Sequence, residues 1–300
     1  MIAAVKIAVV GAGAMGSVYA GLLGAAGNEV WAVDTWREHV DAIRERGLRV
    51  EGASGDRIVP INATTDAAEV GEAELVVIAT KAMDVETAAE VARPLVGPET
   101  VVLSIQNGLG GPEIATRVLG EVSIGVAGGF GASVVAPGHV HHHGLELIRL
   151  GPGIEAVAEV WRAAGFNVRT FDDIGRLVWE KLVCNVAFSG TFTLLGRTIG
   201  EVLDDPNAWA IAADCAAEAY AVGRASDVAF DFDDPVAYVR AFGQKIPGAK
   251  PSMLLDLETG RRLEIDYING AIPRVGAEVG VATPVNQAVT ALVKGLTAAR

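Results

Sequence analysis

Val5–Asp34 reads V-K-I-A-V-V-G-A-G-A-M-G-S-V-Y-A-G-L-L-G-A-A-G-N-E-V-W-A-V-D. An apolar run, Val5–Val10, ends in Gly11-Ala12-Gly13-Ala14-Met15-Gly16. A stretch of small residues with helical character follows. A second apolar run, Val30–Val33, is then closed by Asp34. The order is strand, glycine-rich turn, helix, strand, carboxylate. Gly11 lets the chain leave the strand in a tight turn, Gly13 has no Cβ to keep a pyrophosphate from the backbone, and Gly16 lets the helix pack close to the sheet. The helix N-terminus offers N–H groups and a partial positive charge to phosphates. Asp34 lies 18 residues past Gly16, where a carboxylate accepts hydrogen bonds from a ribose diol. The stretch predicts a dinucleotide site built from residues 11–16 and Asp34.

The rest of the first half repeats this alternation. Thr35 is placed to cap a helix over 36–46, with Glu38 completing a capping box. Leu48–Ile61 reads as a hairpin turning near Gly52–Gly55, and Asp66–Val70 as a short helix. Leu75–Thr80 and Val101–Ile105 are apolar strands, Val85–Leu95 is helical, and Gly110-Gly111-Pro112 opens a further helix. Short strands without polar alternation, separated by helices, predict a parallel sheet covered on both faces. Residues 122–150 alternate and are rich in glycine and histidine, which predicts antiparallel strands extending that sheet. A helix over 154–164 and a last strand over 168–171 follow. Beyond residue 171 the strand signals stop. Segments 174–189, 206–225, 235–242, 252–259, 265–280 and 284–298 all carry a 3.6-residue period. The expected division is a dinucleotide-binding domain over 1–170 and a helical substrate domain over 171–300.

The 300 residues suit two domains, and 51% hydrophobic content supplies a sizeable core. A net charge of −13 argues against nucleic acid or an anionic membrane surface as partner. Cys184 and Cys215 have no metal or redox spacing, and Cys184 reads as a packing residue. No stretch reaches the roughly 18 uninterrupted apolar residues of a membrane span, and no secretory signal pattern opens the chain. The expectation is a cytoplasmic protein with reduced thiols. Apolar faces in the helical half suit a homodimer as well as a helical core.

Ligands of open parallel sheets bind beyond the carboxyl ends of the strands. Asp34, Lys81 and Asn107 occupy such ends. Lys81 either reaches a cofactor or snorkels at its strand end, and Asn107-Gly108 is either a ligand-facing pair or a turn. In the helix over 174–189, Lys181, Asn185 and Ser189 recur at i, i+4, i+8 and share one face of an otherwise apolar segment. Polar groups there are costly unless paired or facing a site, and a lysine can protonate a developing alkoxide. Glu264, beside Asp266 and Tyr267, either serves that lysine or a cofactor hydroxyl, or is ordinary charge at a helix N-terminus. His139, His141 and His143 would share one face of a strand. They read as solvated surface histidines rather than metal ligands.

Six segments then occur in order: G-A-G-A-M-G (11–16), T-K-A (80–82), S-I-Q-N-G-L-G (104–110), E-K-L-V-C-N (180–185), S-M-L-L-D (252–256) and L-E-I-D-Y-I-N-G (263–270). Together they resemble the ketopantoate reductases (2-dehydropantoate 2-reductases), essentially end to end. The resemblance implies a Rossmann-type doubly wound sheet followed by an all-helical C-terminal domain. It implies hydride transfer between NAD or NADP and a small 2-oxo or 2-hydroxy acid. By the same resemblance Lys181 would be the general acid, and Glu264 would contact the cofactor close to the reacting centre. Asn107 would touch cofactor and substrate, Asn185 and Ser252 would hold the substrate, and Lys81 would contact the cofactor.

The departures are specific. The family's substrate-binding asparagine one turn after Asn185 is Ser189 here. A further one, in the loop after that helix, falls near Ile199, and Ala249 replaces an asparagine of some members. The family's common activity uses NADP, whereas Asp34 favours the free ribose diol of NAD, with Arg37 placed to rescue NADP. The alternatives are an NAD-dependent D-2-hydroxyacid dehydrogenase of the same family acting on a branched or aromatic acid of D-mandelate type, and a non-catalytic nucleotide-sensing protein.

Overall fold

The computed structural model describes residues 4–128, 131–144 and 147–298. In chain order the elements are β1 (Lys6–Val10), α1 (Ala14–Ala25), β2 (Glu29–Val33), α2 (Arg37–Arg46), β3 (Leu48–Gly52), β4 (Arg57–Val59), β5 (Asn62–Thr64) and β6 (Leu75–Ile78). Next come α3 (Val85–Ala92), β7 (Val101–Ser104), α4 (Gly111–Leu119), β8 (Ser123–Gly128), β9 (Gly131–Ala136), β10 (His139–Gly144), β11 (Leu147–Leu150), α5 (Glu155–Ala163) and β12 (Val168–Thr170). The remainder is helical: α6 (Ile174–Leu195), α7 (Ile199–Leu203), α8 (Pro206–Ala225), α9 (Pro235–Gly243), α10 (Ser252–Glu258), α11 (Ala271–Val279) and α12 (Pro284–Ala298). Single 3-10 turns at Ala67–Glu69, Ala82–Asp84 and Arg93–Leu95 punctuate the first half. Two compact units result: Met1–Gln106 with Gly110–Ile174, and Asn107–Leu109 with Gly175–Arg300.

The first unit is built on a sheet of order β12-β11-β8-β7-β6-β1-β2-β5, parallel throughout except where β11 runs against β8. The unbroken apolar run of β1 follows from burial on both faces. Ile7 and Val9 enter a core with Tyr19, Leu23 and Trp161, while Ala8 and Val10 enter the opposite core with Val76, Ile78 and Leu95. Each buried valine, leucine or isoleucine among them contributes about 1.5–3 kcal/mol relative to exposure, against about 1–2 kcal/mol for ordering its backbone. No described helix is long and apolar enough to cross a membrane.

The structure corrects the expectation for residues 122–150. β8 and β11 do extend the main sheet. β9 and β10 instead join the β3–β4 hairpin in a second sheet of order β4-β3-β10-β9, with β10 parallel to β3. α1 makes this possible by being small on two sides. A Cβ on Gly21 would lie 2.5 Å from Val50 Cγ2, and one on Gly24 2.5 Å from Ile61 Cγ2.

Four further boundaries differ. Thr35 does not cap α2; the Asp34 carboxylate itself accepts the Trp36 N–H at 2.8 Å, and the helix starts at Arg37. α6 runs past Gly190 to Leu195, ending where Gly196 takes φ +64. Ile199 opens the short helix α7 instead of lying in a loop, because Glu201 accepts from the Thr198 N–H at 2.8 Å and hydroxyl at 2.7 Å. Residues 265–270 form a turn rather than the start of a long helix. There the Tyr267 N–H reaches Glu264 O at 3.0 Å, the Gly270 N–H reaches Ile265 O at 2.8 Å, and α11 begins only at Ala271.

Candidate active site

In the first unit the three motif glycines have three different surroundings. Gly11 sits at φ +93, and a Cβ there would lie 2.5 Å from Thr80 Cγ2 and 2.7 Å from Thr80 N. A Cβ on Gly16 would overlap the Gly11 carbonyl oxygen. Gly13 is exposed and has nothing within 4 Å of the Cβ position. Two glycines thus serve the turn's own packing, and the third leaves open space in front of α1. Gly13 is also the N-cap of α1; it lends no side chain to the first N–H groups, and no acid stands in the first turn. That end of the helix suits an anion. The Thr80 hydroxyl oxygen, buried against the same turn, has no hydrogen-bond partner among the described residues. Asp34 follows β2, partly buried, with one carboxylate oxygen on the Trp36 N–H. An open approach to bare helix N–H groups, an orphaned hydroxyl and a carboxylate after the second strand together fit a dinucleotide's pyrophosphate and ribose.

A buried relay behind the turn was not foreseen from sequence. The Ser17 hydroxyl donates to Ala12 O at 2.7 Å and lies 3.1 Å from His39 Nε2. His39 Nδ1 accepts the Gly138 N–H at 3.0 Å. Because Nδ1 must accept, the proton of the neutral ring sits on Nε2 and is donated to Ser17. His39 is 0% exposed and stacks on Trp36 at 4.8 Å. Burial pushes its pKa down, partly offset by the Asp34 charge. The only sequence signal was a histidine on the apolar face of α2.

β7 ends in Ser104, and the Gln106 side chain returns to donate to Ile78 O at 2.5 Å. Asn107–Leu109 then belongs to the helical unit. The Leu109 N–H donates to Tyr267 O at 2.9 Å, and Gly108, at φ +82, has no room for a side chain against that carbonyl. Lys81 is partly buried just before the turn Ala82–Asp84.

In the second unit α6 is continuous from Ile174 to Leu195, so Lys181, Asn185 and Ser189 do share one face. Lys181 and Asn185 are partly exposed, while Ser189 is 4% exposed. The neighbouring Glu180 is tied elsewhere: it accepts the Asp231 N–H at 3.1 Å and lies 3.9 Å from Arg176. Glu264 is 8% exposed in the turn that follows Leu263, and Ser252 is exposed at the start of α10. Ile199 is 3% exposed and packs into the helical core rather than facing a site. Its N–H donates to Ala249 O at 3.0 Å, so the two positions that lack an asparagine adjoin each other. Cys184 and Cys215 are both buried, and burial pushes each thiol up to about 12. Neither is a nucleophile in this state.

The histidine row departs from its expectation. His139 and His141 lie 3.0 and 3.4 Å from the Glu51 carboxylate on β3, which is held below the usual carboxylate range by these contacts. An acid does stand beside them, brought from far away in sequence by the β3–β10 pairing. Among the described residues no group of three or more His, Cys, Asp or Glu side chains is placed to hold a metal ion.

The family model "Ketopantoate reductase PanE/ApbA" matches residues 7–154, and "Ketopantoate reductase PanE/ApbA C terminal" matches residues 173–297. A 2-dehydropantoate 2-reductase of Streptococcus pyogenes is 31% identical over 296 residues, covering 95% of both chains. The crystal structure of a PanE/ApbA family ketopantoate reductase from Ralstonia eutropha superposes with a TM-score of 0.91 at 33% identity, over 97% of this chain and 98% of that one. A D-mandelate dehydrogenase, in a ternary structure with NADH and anilino(oxo)acetate, gives a TM-score of 0.91 at 30% identity, over 98% of each chain. The chain belongs to the ketopantoate reductase family.

Proposed function

We propose that this chain reduces a small 2-oxo acid to the 2-hydroxy acid with a nicotinamide cofactor, ketopantoate being the first candidate substrate. The observation that carries the reading is the Lys181–Asn185–Ser189 face on the unbroken helix α6, in a chain whose family is named for this reduction. Residues 11–16 and Asp34 would hold the pyrophosphate and ribose, with Lys81, Asn107 and Glu264 as further cofactor contacts. The reduced nicotinamide, when bound, supplies a hydride to the substrate's carbonyl carbon. Lys181 Nζ donates a proton to the carbonyl oxygen as negative charge develops there. Asn107, Asn185, Ser189 and Ser252 orient the acid through its carboxylate and hydroxyl groups. Glu264 keeps the lysine charged and directed. The cytoplasm, where the buried thiols stay reduced, is the location this reading assigns.

The test is Lys181→Ala. General acids contribute roughly 100- to 10,000-fold, so kcat should fall by at least about 100-fold with the fold intact. Turnover within a few-fold of the parent would sink the proposal.

A second reading has its own support. Ile199 is buried in the core and Ala249 adjoins it, so no amide stands at either position. Fewer amides suit a less polar substrate, such as a branched or aromatic 2-oxo acid of the kind reduced to D-mandelate. A panel of 2-oxo acids decides: a higher kcat/KM for ketopantoate favours the first reading, and one for an aromatic acid the second.

A further inference from the structure

Asn269 is 0% exposed in the turn between Leu263 and α11. Its amide nitrogen donates to Val186 O at 2.8 Å, and its amide oxygen accepts the Gly190 N–H at 3.1 Å. Val186 and Gly190 are the two ends of one i, i+4 step of α6. A helix ordinarily pairs that carbonyl with that N–H; here a side chain from another segment holds both. The step gripped, 186–190, is offset by one residue from Asn185–Ser189, so the clamp acts on the turn that carries those two side chains.

The surroundings leave the amide one orientation. Its nitrogen also donates to Asn286 Oδ1 at 3.0 Å, and Asn286, itself 0% exposed, donates to Cys215 O at 3.1 Å and to Glu218 at 2.8 Å. Both Asn269 donors are used, and its oxygen is fixed by a backbone N–H. Gly190 is part of the same device: a Cβ there would lie 2.8 Å from Asn269 Oδ1 and would overlap Val289 Cγ1. The turn that carries Asn269 also holds Glu264, whose carbonyl accepts the Tyr267 and Ile268 N–H groups at 3.0 and 3.1 Å. Tyr267 O in turn accepts the Leu109 N–H, two residues from Asn107.

We propose that Asn269 is a positioning residue whose amide sets the register of the Lys181–Asn185–Ser189 face of α6 against the turn bearing Glu264. The proposal rests on the reading that Lys181 and Asn185 act on a 2-oxo acid. Asn269 touches neither substrate nor cofactor. It holds the helix turn from behind, so its loss should loosen substrate alignment while leaving the pyrophosphate and ribose contacts of residues 11–16 and Asp34, in the other unit, as they are.

The test compares Asn269→Ser and Gly190→Ala with Val239→Ala, a fully buried control in α9, and with Lys181→Ala. Each is measured for Tm, Kd of the reduced cofactor, and kcat and KM for the preferred 2-oxo acid. Asn269→Ser should lower kcat/KM at least tenfold, with KM for the acid raised and cofactor Kd within twofold of the parent. Gly190→Ala should move in the same direction, because its methyl displaces the clamp. Val239→Ala, with a comparable fall in Tm, should stay within threefold. Equal losses in Asn269→Ser and Val239→Ala at matched Tm overturn the positioning role, as does a rise in cofactor Kd equal to the rise in KM. If both clamp variants fail to fold, the amide is a stability element and the proposal is overturned. An inactive Lys181→Ala beside an unaffected Asn269→Ser removes the clamp alone. An active Lys181→Ala removes the functional reading and the clamp with it.

Discussion

Replacing Gly13 and Gly16 one at a time separates binding from folding within a single turn. At Gly13 the backbone is at φ −66, ordinary for any residue, and nothing lies within 4 Å of a new Cβ. Gly13→Ala should therefore fold as the parent does, within about 0.5 kcal/mol, and removing a glycine's freedom from the unfolded chain acts in the stabilising direction. Its methyl would stand in the open space at the N-terminus of α1. Losing one hydrogen bond to a charged phosphate costs about 1.5–3 kcal/mol, which is roughly 10- to 150-fold in Kd. Gly16→Ala reverses the pattern. Its methyl meets the Gly11 carbonyl oxygen and lies 2.9 Å from the Gly11 carbonyl carbon, inside a buried turn that cannot yield freely. Overpacking of this kind costs about 1–3 kcal/mol or more, which is roughly 2–4 °C of Tm per kcal/mol for a unit of this size. Thermal unfolding without cofactor, followed by NADH and NADPH titrations, reads both effects. Gly13→Ala binding both nucleotides within twofold of the parent, with an unchanged Tm, would refute the assignment of this turn to the pyrophosphate.

Two further outcomes follow from the same unit. With its folded pKa lowered by burial, His39 refuses a proton that the unfolded chain accepts. Stability should be full above about pH 6.5 and fall as pH drops from there toward the folded pKa, by at most about 1.4 kcal/mol per pH unit for one proton. Denaturant titrations over this range should show a shallower slope in His39→Gln, and an unchanged slope counts against the neutral Nε2–H relay. For Asp34, two unit charges about 4 Å apart repel by about 1 kcal/mol in water and about 4 kcal/mol at an effective dielectric of 20. The parent should therefore prefer NADH over NADPH by roughly 5- to 1000-fold in kcat/KM, with Asp34→Ser narrowing the gap; an NADPH preference in the parent sinks the argument.

What could be read from sequence was local and periodic. The apolar run of β1 announces a strand buried on both faces, and the four-residue spacing of Lys181, Asn185 and Ser189 announces one helix face. The second sheet was not legible, because β10 pairs with a strand some ninety residues away (His139 opposite Arg49) and neither segment carries a mark of the other. The helix expected over 174–189 runs on through Gly190 for a related reason: the missing side chain there makes room for an amide from another segment. The helix at Ile199 is hidden from periodicity because α7 is only five residues long; Thr198 and Glu201, as a capping box, are its sequence signal. At the candidate site, residue types and spacing pointed to chemistry. The relay through Ser17 and His39, and the grip of Asn269, arise only when distant segments meet.

The two buried thiols have a practical consequence. Both cysteines of the chain lie in the helical unit and none in the sheet unit. Cys184 sits on α6, three residues from the catalytic lysine candidate, and Cys215 offers its carbonyl to Asn286. Protonated and enclosed, they are silent toward alkylating reagents as long as their surroundings stay closed. The rate at which they become labelled is thus a built-in clock for the opening of the helical unit alone, readable by mass without any introduced probe.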